Sequence, residues 1–323
     1  LRVTWCDDTE ALLRFGFAQP EPGLCHIACA RLAGPVAAES WHVEDGVSDT
    51  HSSTLHLRRS GGMAALHVRV DERTLGIGAA TECAYRTLLD AVRGSSEPYI
   101  LRIWNYFARI NDGDGDDERY RQFCVGRARA VDAAFNAPPP AATAIGTDGE
   151  PHWLDVIALC SCQPGIALEN PRQTPAWQYP REFGPVSPGF SRAAAVGAGD
   201  AQRLLVSGTA SIVGHVSMHR GDIGAQIDET FANLAALLDI ASARSGHVFT
   251  LDGCESMRVY VRHREDLARA QTAVARHIQH PERVLFLRGD VCRRELDIEL
   301  EGVFAPRPRQ ASHHAKPCIT ARA

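Results

Sequence analysis

Residues 294–302 read RELDIELEG. Leu296, Ile298 and Leu300 alternate with Asp297, Glu299 and Glu301, and side chains two apart share one face of a strand. The segment therefore predicts a strand with three carboxylates on one side. A wet outer face of an antiparallel sheet would account for them; a crevice would make one of them a proton donor or acceptor. A second set of candidates lies in 168–192, LENPRQTPAWQYPREFGPVSPGFSR. Five prolines stiffen this stretch, and Trp177, Tyr179, Phe183 and Phe190 stand among Arg172, Arg181 and Arg192. Long connections are usually polar and flexible. An aromatic, Arg-rich one reads either as a connection packed on a surface or as the wall of a pocket for an anionic, ring-shaped ligand. Arg181 and Arg192 are the candidate anion binders here, and Arg127 in FCVGRAR can converge with them.

Other chemistries find little support. His215 and His219 have the i, i+4 spacing of a helical zinc pair, but Val216 and Gly221 around them predict strand and turn. The run Asp112–Asp117, DGDGDD, lacks the glutamate at the twelfth position of a calcium loop and reads as a solvated surface loop. Cys160 and Cys162 form a C-x-C with no second pair at zinc-site spacing. No metal is expected. The chain has 323 residues, 45% of them hydrophobic, and a net charge of −5, so a nucleic-acid-binding surface is not expected. Lys is nearly absent, leaving Arg to supply planar forks for carboxylates. The scattered cysteines, without a leader-like stretch, predict reduced thiols in a cytoplasm. No run approaches the roughly 18 apolar residues of a membrane span.

Behind the candidate residues the sequence predicts elements in a repeated order. In the second half Asp222 can cap a helix carrying Ile223, Ile227, Phe231, Leu234 and Leu238. Then come the strand ESMRVYVR, a helix through Leu267, Val274 and Ile278 that ends before Pro281, and the strands 284–289 and 294–302. The first half runs helix 74–92, strand 99–107, helix 118–135, an AATAIG segment and strand 152–160. The class expected is α+β: two related units, each a β-sheet with helices packed on one face. The expected boundaries are an N-terminal unit over 1–150, a strand and Pro/aromatic-rich connection over 151–200, a C-terminal unit over 201–305 and a flexible tail over 306–323. In this alignment Ile157 falls opposite Glu299. An isoleucine and a carboxylate suit the same face if that face is a contact between units that opens locally into a crevice.

Two resemblances sharpen this picture. Residues 203–303, from RLLVSGTASIVG to LDIELEGVF, resemble the RidA-like (chorismate-mutase-like) fold, whose members are small trimers with active sites between subunits. NYFARIN, ERYRQFCVGRARA, NPRQTPAWQYPREFGPVSPGFSRA and VSGTASIVGHVS resemble the chorismatase family over most of the chain. The resemblance implies an enzyme that cleaves the enolpyruvyl ether of chorismate and releases pyruvate, without metal or organic cofactor. It places the catalytic acid on Glu299. Cys292, seven residues earlier, matches the cysteine of the branches that form 3-hydroxybenzoate, alone or with 4-hydroxybenzoate. Gly208 matches a position where the diene-forming branch has Ala. Tyr120, Arg127, Tyr179, Arg192, Gly208 and Thr209 are the expected substrate contacts, and chorismate the expected ligand. The molecule is expected to be a pseudo-oligomeric monomer or a homotrimer, away from membranes. A dihydroxycyclohexadiene product, RidA-like imine deamination and silent binding of an aromatic acid stand as alternatives; the 168–192 insert argues against the second, and joint retention of Glu299 and Cys292 against the third.

Overall fold

Helix α1 (Gly76–Arg93) turns Ile77, Ala80, Ala84, Leu88 and Val92 inward, the spacing of an amphipathic helix. It lies beside α2 (Arg119–Ala130) on a six-stranded sheet. The computed structural model describes residues 1–17, 25–132, 135, 138–149 and 152–307. In spatial order the strands of this sheet are Ala141–Thr147, Tyr99–Ala108, Trp153–Ser161, Met63–Asp71, Leu55–Ser60 and Ser48–His51. The two helices approach closely because Gly126 has no side chain: a Cβ there would stand 2.0 Å from the Gly78 carbonyl oxygen. In the second half, α3 (Ile223–Ser245) and α4 (Leu267–Val274) cover a seven-stranded sheet. Its order is Ile166–Leu168, Ala193–Val196, Arg203–Thr209, Ile298–Pro306, Phe249–Val261, Val284–Arg288 and Arg31–Ala33. The Asp222 carboxylate accepts the Ala225 N–H at 3.1 Å and so caps α3.

The halves match strand for strand. Tyr99–Ala108 pairs in parallel with Ala141–Thr147 and antiparallel with Trp153–Ser161. Phe249–Val261 pairs in parallel with Val284–Arg288 and antiparallel with Ile298–Pro306. The α+β class and the repeated unit agree with the order read from the sequence. Each sheet has a helix face and an inner face. Val68, Ile103, Phe107 and Val156 pack under α1 and α2, while Val259, Ile298, Leu300 and Phe304 pack under α3 and α4. The inner faces meet, with Trp104, Ile157 and Leu159 joining Leu205, Leu287 and Val303. Ile157 is wholly buried there, and burial of such a side chain contributes roughly 1.5–3 kcal/mol. Glu299, Glu301 and Val303 alternate with Ile298, Leu300 and Phe304, so the two acids point into this contact face.

Several expectations change. Asp297 precedes the strand, and its backbone N–H and side chain bond Gln226 of α3, so it is not part of the acid pair. Helix α2 stops at Ala130 rather than running to 135, because Val131 is extended and the Asp132 side chain accepts the Phe135 N–H instead; 133 and 134 lie outside the described residues. Helix α4 stops at Val274, where tighter turn bonds at Arg276 and His277 follow, although Ile278 still reaches the core. From 308 onward the expected tail is outside the described residues, and Pro306 closes the last strand. An unanticipated sheet of Arg2–Trp5, Glu39–His42, Leu13–Gly16 and Cys25–His26 covers the first unit's inner face. There Phe15 and Trp41 pack edge-on against Trp104 at 5.1 and 5.3 Å. Among the described residues no helix is long and apolar enough to cross a membrane.

Candidate active site

Glu299 faces a cavity of about 350 Å³ between the two units. The last strand holds it by the pleat that buries Ile298 and Leu300 under α3. Strand Arg203–Thr209 pairs with the last strand in one register up to Val206 and in a register shifted by one residue at Thr209. Such a bulge re-aims the backbone and interrupts the ladder, and here it falls at Ser207 and Gly208. Gly208 lies so close to Glu299 that a Cβ there would stand 1.9 Å from Glu299 Oε1. A glycine is required for the carboxyl group to occupy its position.

Glu299 is 5% exposed, and no donor among the described residues is hydrogen-bonded to its carboxyl. Burial, then the negative charge of Glu301, push it up to about 8, against the lowering influence of Arg102, Arg192 and Arg262. Glu301 is held the other way. It accepts hydrogen bonds from Arg102, Thr143 Oγ1 (2.6 Å), Arg258 (3.1 Å) and the Tyr260 hydroxyl (2.7 Å). Burial opposes its charge, but the Arg102 and Arg258 guanidiniums outweigh burial and leave it below the usual carboxylate range. The site thus offers a neutral acid at pH 7 beside a fixed anion.

Helix α2 and the 168–192 connection supply the opposite wall. Arg127 and Arg192 are 5% and 3% exposed, and neither has a carboxylate at ion-pair distance among the described residues. Arg192 donates to Thr174 O (2.9 Å) and the Tyr179 hydroxyl (2.8 Å), its Nε stays unpartnered, and its guanidinium lies 5.0 Å from the Phe190 ring centre. Arg127 stands over Phe123. Two buried cations without counter-charges leave the cavity suited to an anion. Tyr120, Tyr179, Phe183 and Phe190 supply flat apolar walls. Cys292 opens onto the same space, its thiol pushed up to about 12 by burial and then by Glu299. It therefore acts as a neutral thiol.

The structure brings together Tyr120, Arg127, Tyr179, Arg192, Gly208, Cys292 and Glu299. Thr209 does not line the cavity, because it points away at the bulge and its hydroxyl bonds Ser207 O at 2.9 Å. Arg181 also stays outside: it is exposed and grips Asp116 with two bonds of 3.0 and 2.6 Å. The DGDGDD run is thus partly an anchor for the connection. Sequence reading missed Arg293, which lies 4.1 Å from the Phe183 ring centre and bonds His215 O and Ser217 Oγ, with Nη2 buried and unpartnered. It also missed Asn105 and Thr143. Arg294 lines the cavity too, but its guanidinium is half exposed and donates to Asn111 O and Gly113 O, a difference that nothing in the stretch VCRREL reveals. Among the described residues, Asp49, His51 and His56 form one group with ligand atoms within 4.8 Å, away from the cavity. It joins residues across a hairpin, which a spacing scan along the chain does not reveal. Its rings stack at 3.7 Å and both nitrogens already bond Asp49 Oδ1, at 3.1 and 2.8 Å.

Comparison with known proteins bears on this arrangement. A family model described as chorismatase FkbO/Hyg5-like, N-terminal, matches residues 39–160. A chorismatase of Streptomyces rapamycinicus is 36% identical over 278 residues, covering 83% of this chain and 82% of its own length. A 3-hydroxybenzoate synthase of Streptomyces hygroscopicus is 34% identical over 238 residues, covering 69% of this chain and 68% of its own. The crystal structure of a chorismatase is similar with a TM-score of 0.79 at 29% identity, covering 92% of this chain and 94% of that one.

Proposed function

The chain belongs to the chorismatase family, and on that premise we propose that it converts chorismate into pyruvate and 3-hydroxybenzoate in the cavity over Glu299. One observation carries the reading: Glu299, buried and holding its proton up to about pH 8, shares its cavity with two buried guanidiniums that have no carboxylate at ion-pair distance among the described residues. Chorismate is a dianion with a flat ring and a vinyl ether. Arg127 and Arg192 take its carboxylates, and the aromatic walls take the ring. Glu299 gives its proton to the terminal methylene carbon of the enolpyruvyl group, which creates an oxocarbenium centre. The carboxylate left behind stabilises that cation.

The bond between the ring carbon and the ether oxygen then breaks, its electron pair forming the carbonyl of pyruvate. The neighbouring ring hydroxyl oxygen closes on the vacated carbon, and its proton returns to Glu299. The strained epoxide opens, and loss and regain of one proton give the phenol. Chorismate equals pyruvate plus hydroxybenzoate atom for atom, so no water enters. Cys292 lies where a neutral thiol can assist the ring proton transfers or keep water from the epoxide. The relative named 3-hydroxybenzoate synthase supports this product over the diene, which would require a water molecule. The free cysteines among the described residues fit a reducing compartment, and a cytoplasmic location is part of the proposal.

The test incubates the purified chain with chorismate in ¹⁸O-labelled water. Pyruvate and 3-hydroxybenzoate are expected in equal amounts, with no label on the ring. Absence of pyruvate overturns the reading, and a hydrated diene as the main product replaces it with the hydrolytic one.

A further inference from the structure

We infer that Glu301 is a positioning residue for this reaction, a fixed negative charge that keeps the proton on Glu299; the inference rests on the reading of Glu299 as the acid. The two carboxyls lie two residues apart on one strand face, turned into the same space between the sheets. Their surroundings separate them. Glu301 does not line the cavity and is 3% exposed. Both its oxygens are satisfied, Oε2 by Arg102 and Thr143, Oε1 by Arg258 and Tyr260. Glu299 lines the cavity with no such cradle. Two like groups whose environments push them apart divide the acid and anion roles between them.

The cradle is assembled from both units. Arg258 and Tyr260 stand directly across the ladder from Glu301 and Glu299. Arg102 and Thr143 reach over from the first sheet, and Thr143 Oγ1 also accepts the Gly208 N–H at 2.8 Å. A second acid, Glu39 of the N-terminal sheet, bonds Arg258 at 2.7 and 2.9 Å and so shares its charge. Arg102, Arg192 and Arg262 oppose the proton on Glu299; Arg121, Arg127, Arg293 and Arg294 line its cavity, as do the acids Asp114, Glu118, Glu182 and Glu295; the Cys292 thiol and the Tyr120 phenol face it as neutral groups, each shifted upward by burial. Burial and then the charge of Glu301 hold the proton on Glu299, so removing that charge leaves burial alone to hold it and leaves Arg102 under-compensated beside Glu299. Both changes favour the carboxylate.

The readout is the pH profile of pyruvate release by the full chain. Glu301→Gln is expected to move the alkaline limb down by about one pH unit or more, with activity returning on acidification. Arg102→Gln is expected to move the limb up, and Glu301→Asp to restore it. A purely structural role would lower the rate equally at every pH. A limb that stays in place in a Glu301→Gln protein with wild-type circular dichroism overturns the inference. If the variants do not fold, infrared titration of the wild type decides. The protonated carboxyl band that Glu299→Gln removes must persist at pH 7 while Glu301 is ionised, and an ionised Glu299 at that pH overturns the inference. If wild type releases no pyruvate, the reaction reading fails, and the same infrared titration still decides the pairing.

Discussion

Arg127 and Arg192 are the residues whose energetics the cavity most exposes. A buried guanidinium without a counter-charge is costly, and each keeps its side chain in place by stacking on an aromatic ring. A bound carboxylate would remove that cost. Arg127→Ala and Arg192→Ala are each expected to weaken chorismate binding by about 2–4 kcal/mol, read as a rise in KM. Wild-type kinetics in both would place the binding site elsewhere. Glu299 carries the opposite tension. Its folded-state value is about 8 against an ordinary 4.5. The folded protein therefore holds a proton that the unfolded chain releases, so the contribution of this group to stability is full below about pH 4.5 and declines as pH rises toward 8. Glu299→Gln is expected to lower turnover by on the order of 10²-fold or more. It is also expected to be more stable at pH 7, by on the order of 1–3 kcal/mol. Urea midpoints at pH 5 and pH 7.5 check this, since the gap between variant and wild type should widen with pH. Equal turnover, or a gap that narrows, contradicts the assignment.

At the scale of elements, the bulge at Ser207–Gly208 and the turn before the last strand act together. The first gives Glu299 its space, and the second delivers Cys292 to the same cavity. Cys292→Ala is expected to leave pyruvate release intact and shift the ring product from hydroxybenzoate toward the hydrated diene, as water reaches the intermediate. Gly208→Ala forces the Glu299 carboxyl to move, because the added Cβ would overlap Oε1; in combination it is expected to push the ratio further. Chromatography at equal pyruvate yield measures this, and an unchanged ratio in single and double variants leaves Cys292 as packing. These elements were legible in the sequence to different degrees. The alternation around Glu299 and the helical spacing of Ile223 to Leu238 depend on local periods; the helix formed where its period runs, while the strand expected over 294–302 begins only at Ile298 and continues to Pro306. The bulge involves pairing between residues nearly a hundred apart, so nothing local marks Thr209 as turned away. Arg181 and Arg192 read alike in sequence, yet only the fold puts an aspartate beside the first. Asp297 followed the alternation in sequence but fell outside the ladder, where Gln226 competes for it.

For the whole molecule, the repeat was readable because each unit follows one order of elements. The N-terminal sheet was not, since its strands are short and what holds it is long-range: Phe15 and Trp41 packing on Trp104, and Glu39 bonding Arg258 and Ser256. The correspondence of Ile157 with Glu299 then explains why one position is shut and the other open: the first unit's equivalent position is filled by core, while the second unit's opens into the cavity over Glu299. Both walls of that cavity, Arg127 on one side and Glu299 on the other, are joined by the same backbone. The local concentration of one wall at the other is therefore set by the tether and not by the amount of protein in solution. Turnover per chain is expected to stay level on dilution from micromolar to low nanomolar protein. A fall over that range would mean that a second copy completes the site, and the chain's own linkage would not suffice to hold it.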